Sequence, residues 1–402
     1  MRKTLLLSAA TALCLISLLS ARMPSSSTSA QNSRKPAKLH KMGKDAIPGH
    51  YIVVMDDLSA GPVGRFSMAE QARDVLVAAY GGKVNQTFKH ALNGYAAEMT
   101  EAEAAAVSED PRVAFVEEDA VVTIDTTQTG ATWGLDRIDQ RDRPLNGTYV
   151  YNHTGSGVRA YIIDTGIRTT HTQFGGRASA VFDAFGGNGQ DCNGHGTHVA
   201  GTVGGSTYGV AKSVMLRAVR VLDCSGSGST SGVISGVDWV TANHISPAVA
   251  NMSLGGGASS ALDTAVNNSI NSGVTYSIAA GNSNTDACTQ SPARVAAAIT
   301  VGSTTSTDAR SSFSNFGTCV DIFAPGSSIT SAWSTSDTAT NTISGTSMAT
   351  PHVTGATALY LQTFPGSSPA TIRNALVNNS TTNRITGVGT GSPNRLLYTL
   401  FF

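Results

Sequence analysis

Asp164, His195 and Ser347 are the residues of this chain whose types and contexts suit one reaction, acyl transfer. Asp164 ends the apolar run "AYIIDTG", His195 follows the Gly-rich "NG" of "NGHGTH", and Ser347 stands in "GTSMATPH", which leads into the apolar stretch "VTGATALYLQTF". A neutral serine hydroxyl is a poor nucleophile. A histidine must accept its proton, and a buried aspartate must fix that ring's tautomer and stabilise it once charged. The same letters carry a competing reading. In "DCNGHGTHVAG", Cys192, His195 and His198 stand at Cys-x-x-His-x-x-His spacing, and an i, i+3 histidine pair can share a zinc ion. Zinc takes four ligands in fixed geometry, however, and the pattern offers no nearby Glu or further ligand.

A triad of this kind needs strand and helix ends that converge. From about residue 126 the chain alternates apolar β segments with helical ones across Gly-rich junctions. Strand candidates are "VRAYIIDTG", "LRAVRVLD", "AVANMSLGG", "VTYSIAAGN", "AAAITVGS" and "VDIFAPG"; helical candidates include "HGTHVAGTV", "GVISGVDWV" and "ALDTAVNNSIN". The strands are near-continuous apolar runs, the signature of a parallel sheet covered on both faces. An α/β, doubly wound, mostly parallel sheet is predicted, with chemistry at the carboxyl ends of its strands. "SLGGG" ends one strand and "CSGSGS" follows another. Glycine lets a foreign backbone approach, so both segments can pair with an extended peptide.

The 402 residues divide into four parts. Residues 1–22 join Arg2 and Lys3 to an apolar run from Leu5 to Leu19, as in a cleaved export signal. Residues 23–47 are a polar, basic linker, and residues 48–125 a small module. There "HYIVVM", "GYAAEM" and "VAFVEEDAVV" read as strands, and "SMAEQARDVLVAAYGG" and "TEAEAAAVSED" as helices opened by capping boxes at Ser67–Glu70 and Thr100–Glu103. Val75, Leu76 and Ala79 are expected on one face of the first helix. The order suits an α+β, ferredoxin-like unit. Residues 126–402 are the large α/β domain.

Overall charge is zero, 27 Lys+Arg against 27 Asp+Glu, which argues against a nucleic-acid partner. The small module is acidic, with 12 acids and 5 bases over 48–124. No other stretch of apolar residues is long enough to span a membrane. Cys14 lies inside the export run; the four remaining cysteines, Cys192, Cys224, Cys288 and Cys319, suit two disulfides in an exported chain, and three pairings are open.

The motifs "YIIDTGI", "NGHGTHVAGT", "SLGGG", "AAGN" and "SGTSMATPHV" together make the chain, from about residue 133 to its end, resemble the subtilisin-like serine proteases, in particular the proteinase K branch and its aqualysin-type members. The order Asp, His, Ser is the one known from subtilisin. The resemblance implies a secreted serine endopeptidase in which Asp164 orients, His195 is general base and acid, Ser347 is the nucleophile, and Asn282 of "AAGN" supplies an oxyanion donor. It makes His198 structural. It implies that Gly226, Ser227 and Gly228 form one edge of the substrate cleft, Ser253, Leu254 and Gly255 the other, and that Ala279, Ala280 and Gly281 wall the S1 pocket. With no charged residue in those segments, apolar or aromatic P1 residues are expected. The aqualysin-type members pair their cysteines as Cys192–Cys224 and Cys288–Cys319. Structural Ca²⁺ is implied at Asp321 with the carbonyls of Ala296 and Ala298, and at Asp136, Asp139 and Gln140. The module at 48–125 resembles the propeptide of these enzymes, an intramolecular inhibitor and chaperone removed by autocleavage near Ile124–Thr129. The expected partners are peptide and protein substrates and this propeptide, with the enzyme itself a monomer.

Overall fold

The computed structural model describes residues 38–43, 46–56, 65–120 and 126–402. The export segment expected at 1–22 lies outside these residues, as does most of the linker and the first part of the expected cleavage window. The chain forms two units that divide between Val121 and Val122.

In the first unit, strands Ala46–Met55, Lys83–Phe88, Gly94–Glu98 and Val113–Ala120 alternate with helices Arg65–Tyr80 and Glu101–Ser108 in a β-α-β-β-α-β order. Val113–Ala120 and Gly94–Glu98 flank Ala46–Met55, antiparallel to it; Lys83–Phe88 is an edge strand, and Leu39–His40 adds a short parallel edge. Thr100 caps the second helix with a full capping box, its hydroxyl accepting from Glu103 N–H while the Glu103 carboxylate accepts from Thr100 N–H. The first helix begins at Arg65, two residues ahead of the expected cap, so Ser67 lies inside it. Its buried stripe also differs from the expected one. Leu76 is fully buried with Ala72, Val77 and Tyr80 packed beside it, while Val75 and Ala79 face solvent. The i, i+4, i+5, i+8 set centred on Leu76 covers more sheet than a stripe through Val75 would.

The second unit is built on a nine-stranded sheet. Its strands are β1 Arg159–Asp164, β2 Ala178–Asp183, β3 Met215–Arg220, β4 Ala248–Met252, β5 Thr275–Ala279, β6 Ile299–Thr304, β7 Ile322–Pro325, β8 Thr381–Thr382 and β9 Arg395–Leu396. Their order is β8-β9-β7-β6-β5-β4-β1-β3-β2, and all are parallel except β8. Every residue of β4, β5 and β6 is buried, as is β1 from Ala160 onward. Burying each Ile, Val or Leu side chain contributes about 1.5–3 kcal/mol.

Five helices cover the sheet: α1 His195–Gly204, α2 Thr230–Asn243, α3 Ser260–Asn271, α4 Thr346–Thr363 and α5 Pro369–Asn378. Val199, Val203, Met348 and Val353 of α1 and α4 share one core cluster with Ile162 and Val249. Val233, Val237, Leu262 and Val266 of α2 and α3 share the other with Ile163 and Ile278. The chain runs from β1 outward to β2, returns through β3, then continues on the far side of β1 through β4. The direction of winding therefore switches between β1 and β4, which is where open α/β sheets place their ligand crevice.

Cys192 is bonded to Cys224 and Cys288 to Cys319, at sequence separations of 32 and 31. In the chain-entropy model each loop is worth about 3–4 kcal/mol. A Cys288→Ser/Cys319→Ser double variant is thus expected to unfold about 6–16 °C lower by calorimetry; a Tm within a degree of the parent would contradict this.

Candidate active site

β1 delivers Asp164 to the switch point. Its side chain is wholly buried, and its Oδ1 accepts from the backbone N–H of Thr165 at 2.7 Å. α1 begins opposite. Gly194 precedes it with φ +117°, a conformation that a residue with a Cβ rarely adopts. Gly196 lies so close to the end of β1 that an added Cβ would sit 3.1 Å from Thr165 Oγ1 and 3.2 Å from Asp164 Oδ1. These glycines let His195 Nδ1 approach Asp164, at 2.8 Å from Oδ1 and 3.0 Å from Oδ2. That bond fixes the ring with Nε2 as its other nitrogen. Burial disfavours the charged imidazole, but the Asp164 carboxylate outweighs it through charge and hydrogen bond, with the Asp191 charge adding, so the pKa is raised above its ordinary value.

Ser347 lies in the first turn of α4. Its hydroxyl donates to the carbonyl of Ser253 at 3.2 Å, and among the described residues no hydrogen bond joins it to His195. Catalytic bonds of this kind are often long before substrate binds. Pro351, one turn further on, has no N–H to give back to the carbonyl of Ser347. The Ser253 hydroxyl takes that carbonyl instead at 2.8 Å, and Asn251 Nδ2 in turn donates to Ser253 Oγ at 2.9 Å. The backbone of Ser347 is thereby tied to the end of β4.

Asn282 follows β5. Its Oδ1 accepts from Thr346 N–H at 2.8 Å and from Thr346 Oγ1 at 2.9 Å, so its Nδ2 is left as the free donor. A methyl on Gly345 would lie 3.5 Å from Ser347 N and 3.6 Å from Asn282 Nδ2, so both donors border one small space.

Two adjoining cavities flank these groups. One of about 520 Å³ is lined by His195, Gly226, Ser227, Gly228, Ser253, Leu254 and Gly255, among others. The second, about 210 Å³, shares Leu254 and Gly255 and adds Ala279, Gly281, Asn282 and Ser347. Ala280 lies elsewhere: it is fully buried in a separate core cluster with Phe323, because alternate residues at the end of β5 turn to opposite faces. Gln290 lines the smaller cavity and Leu222 the larger, and the motif reading named neither. Thr346 and Asp191 were also passed over, although each stands beside a motif residue.

His198 is fully buried, with Nε2 at 3.0 Å from the Ile329 carbonyl; burial pushes its pKa to about 4, so the ring is neutral. His352 is likewise buried against the Met348 carbonyl, its pKa lowered to about 4. The two histidines of "HGTH" thus serve different partners.

The two expected calcium sets differ in fit. Asp321 is occupied: the Arg373 guanidinium pairs with Oδ1, and Thr300 N–H donates to Oδ2 at 2.8 Å. With that cation in place, Asp321, Ala296 and Ala298 do not fit calcium. Asp136 and Asp139 are both buried around the short helix Trp133–Ile138. Asp136 accepts from Asn146 and Gly147 N–H, and Asp139 Oδ2 from Val150 N–H. Asp139 Oδ1 is buried without a partner, and burial, with the Asp136 charge adding, lifts the Asp139 pKa to about 6. A carboxylate so placed suits a cation. Gln140 donates its amide to the Asp142 and Pro144 carbonyls.

Comparison with known proteins agrees with this architecture. Residues 155–395 match the family model described as the subtilase family, and residues 50–125 match peptidase inhibitor I9. The chain is 55% identical over 403 residues to the extracellular serine proteinase of Thermus sp. (strain Rt41A), covering 96% of this chain and 98% of that protein. It is 52% identical over 366 residues to alkaline serine exoprotease A of Vibrio alginolyticus, covering 88% and 68%. A crystal structure of a cold adapted subtilisin-like serine proteinase aligns with a TM-score of 0.66 at 59% identity, covering 68% of this chain and 99% of that one. The α/β unit with Asp164, His195 and Ser347 at its switch point, preceded by an I9 module, therefore makes this chain a member of the subtilase family.

Proposed function

We propose that the protein is a secreted serine endopeptidase that works through an acyl-enzyme on Ser347. The observation that carries this reading is the His195–Asp164 pair at a cleft whose other wall holds Ser347 and Asn282. His195 Nε2 takes the Ser347 proton as the hydroxyl attacks the scissile carbonyl, then returns it to the leaving amine. Asp164 holds the tautomer and stabilises the imidazolium. Ser347 N–H and Asn282 Nδ2 receive the oxyanion. Gly226–Gly228 and Ser253–Gly255 pair with the extended substrate backbone on either side. The smaller cavity, with no charged side chain on its lining, takes apolar or aromatic P1 residues. The I9 module acts as intramolecular inhibitor, and the enzyme removes it by autocleavage near Ile124–Thr129; the mature enzyme is a monomer.

The test is labelling by a fluorophosphonate, with the modified peptide sequenced by mass spectrometry. A single adduct on Ser347 supports the assignment; labelling elsewhere, or none on folded protein, overturns it. Asn282→Ala is expected to lower kcat by about 10²–10³ with KM little changed, a range measured for this donor in subtilisin, a member of the same family.

Asp136 and Asp139, with Gln140, would hold calcium, which would supply positive charge beside the two buried carboxylates. Chelation is expected to lower Tm by about 5–10 °C, reversed by Ca²⁺. Asp139→Asn should abolish that response; an unchanged response would place the ion elsewhere.

A further inference from the structure

We infer that Asp191 is a positioning residue for the acyl-transfer reaction: its carboxylate locks α1 to the end of β1 and places a second negative charge behind His195. This rests on the reading of His195 as general base.

α1 has no side-chain cap from its own cap residue, Gly194. Asp191 takes over that duty. Its Oδ1 accepts from Asn193 N–H and Gly194 N–H, each at 2.9 Å, and its Oδ2 from Thr197 N–H at 2.9 Å and Thr197 Oγ1 at 2.6 Å. A fifth bond reaches across to the strand, from Thr165 Oγ1 to Asp191 Oδ1 at 2.9 Å. The same Thr165 hydroxyl accepts from Gly196 N–H at 2.9 Å, and Thr165 N–H donates to Asp164. The residue after Asp164 is therefore bonded to the buried Asp191 carboxylate, and the residue after His195 is linked to it through the Thr165 hydroxyl. Asp191 itself is not on the lining of the substrate cleft, although Thr165 and Asn193, which bond to it, are.

The arrangement answers an electrostatic problem. His195 is the first residue of α1, where unpaired N–H groups and the helix dipole disfavour a positive ring. The reaction requires that ring to become positive in the transition state. Asp164 faces it from the end of β1, and Asp191 from the loop before α1; His198, one turn along, stays neutral. The Asp191 carboxylate takes two of the N–H groups at the start of α1, those of Gly194 and Thr197, and adds a negative charge that favours the protonated ring. An asparagine there would have to turn its NH₂ toward groups that are themselves donors.

The experiment compares the full chain with its Asp191→Asn and Thr165→Val variants, with active sites counted by fluorophosphonate titration. For Asp191→Asn, kcat per titrated site should fall roughly tenfold to a hundredfold with KM within about twofold. The acid limb of its kcat/KM profile should move to lower pH, since the charged ring has lost a counter-charge. Thr165→Val keeps the charge but cuts the tie. Its kcat should fall roughly tenfold while the limb stays in place. Unchanged kcat and an unmoved limb in Asp191→Asn would reduce Asp191 to a structural cap and overturn the inference; so would a Thr165→Val limb that moves equally far. If Asp191→Asn yields no titratable enzyme, Thr165→Val decides alone, and an unchanged kcat refutes the tie. A wild type that takes no label condemns the Ser347 reading, not this one.

Discussion

Replacing Ser347 by alanine is expected to lower kcat by about 10⁶, the loss measured for the equivalent serine of subtilisin, a member of the same family. The loss should fall on kcat, because the edge segments Gly226–Gly228 and Ser253–Gly255 are untouched. The pairing with substrate proposed for them is one that ground state and transition state share. The backbone N–H of residue 347 also survives the change, so the oxyanion donors remain and a small residual rate is expected above the uncatalysed one. The same variant tests maturation. Expressed in a host free of other proteases, wild type should lose the I9 module and the variant should keep it, read by intact mass. Equal maturation of both chains would refute autocleavage while leaving the nucleophile assignment to the kinetics.

Asp164→Asn is expected to cost about 10⁴ in kcat, the size seen when a triad aspartate becomes an amide. An amide facing His195 Nδ1 can present its NH₂ where an acceptor is needed, which favours the wrong tautomer. The pH profile should change as well. The neutral ring is the base, so activity is absent below the His195 pKa and grows as pH rises through it. In the wild type, burial is outweighed by the Asp164 charge and hydrogen bond, so this limb is expected above the ordinary histidine value. Removing the Asp164 charge leaves burial opposed only by Asp191, and the limb must move to lower pH. A limb that stays put, or moves up, would mean another group titrates there.

The parts of this molecule that were legible in advance are those with strong burial or rigid backbone demands. β1, β4, β5 and β6 read as near-continuous apolar runs because helices cover both their faces. β2 was missed because it is an edge strand and every one of its residues is only half-buried, so its sequence carries no clear period. Lys83–Phe88 was missed for the same reason, being a largely polar edge. In the helix beginning at Arg65 the period was visible but its phase was not: Leu76 anchors the buried side, and only the neighbouring strands decide that Val75 faces water.

At the site, the motifs carry Asp164, His195, Ser347 and Asn282 because each sits at a junction where glycine spacing is tightly constrained. What the letters hide is the wiring. Thr346 precedes the nucleophile and Asp191 lies four residues before His195, yet a threonine and an aspartate in a turn look ordinary until their partners are known. Asp321 is the reverse case. Its motif points to a metal, whereas Arg373, far along the chain, already supplies the positive charge.

The position of β1 has a consequence for the cell that makes this protein. β1 lies in the interior of its sheet, between β3 and β4, both of which follow it in the chain. Asp164 at its tip meets His195 only once α1 is seated, and Ser347 joins them from a helix nearer the C-terminus. A nascent polypeptide that ends before α4 lacks Ser347 and cannot hold all three residues. The three residues can therefore come together only after more than half of the α/β unit has been made.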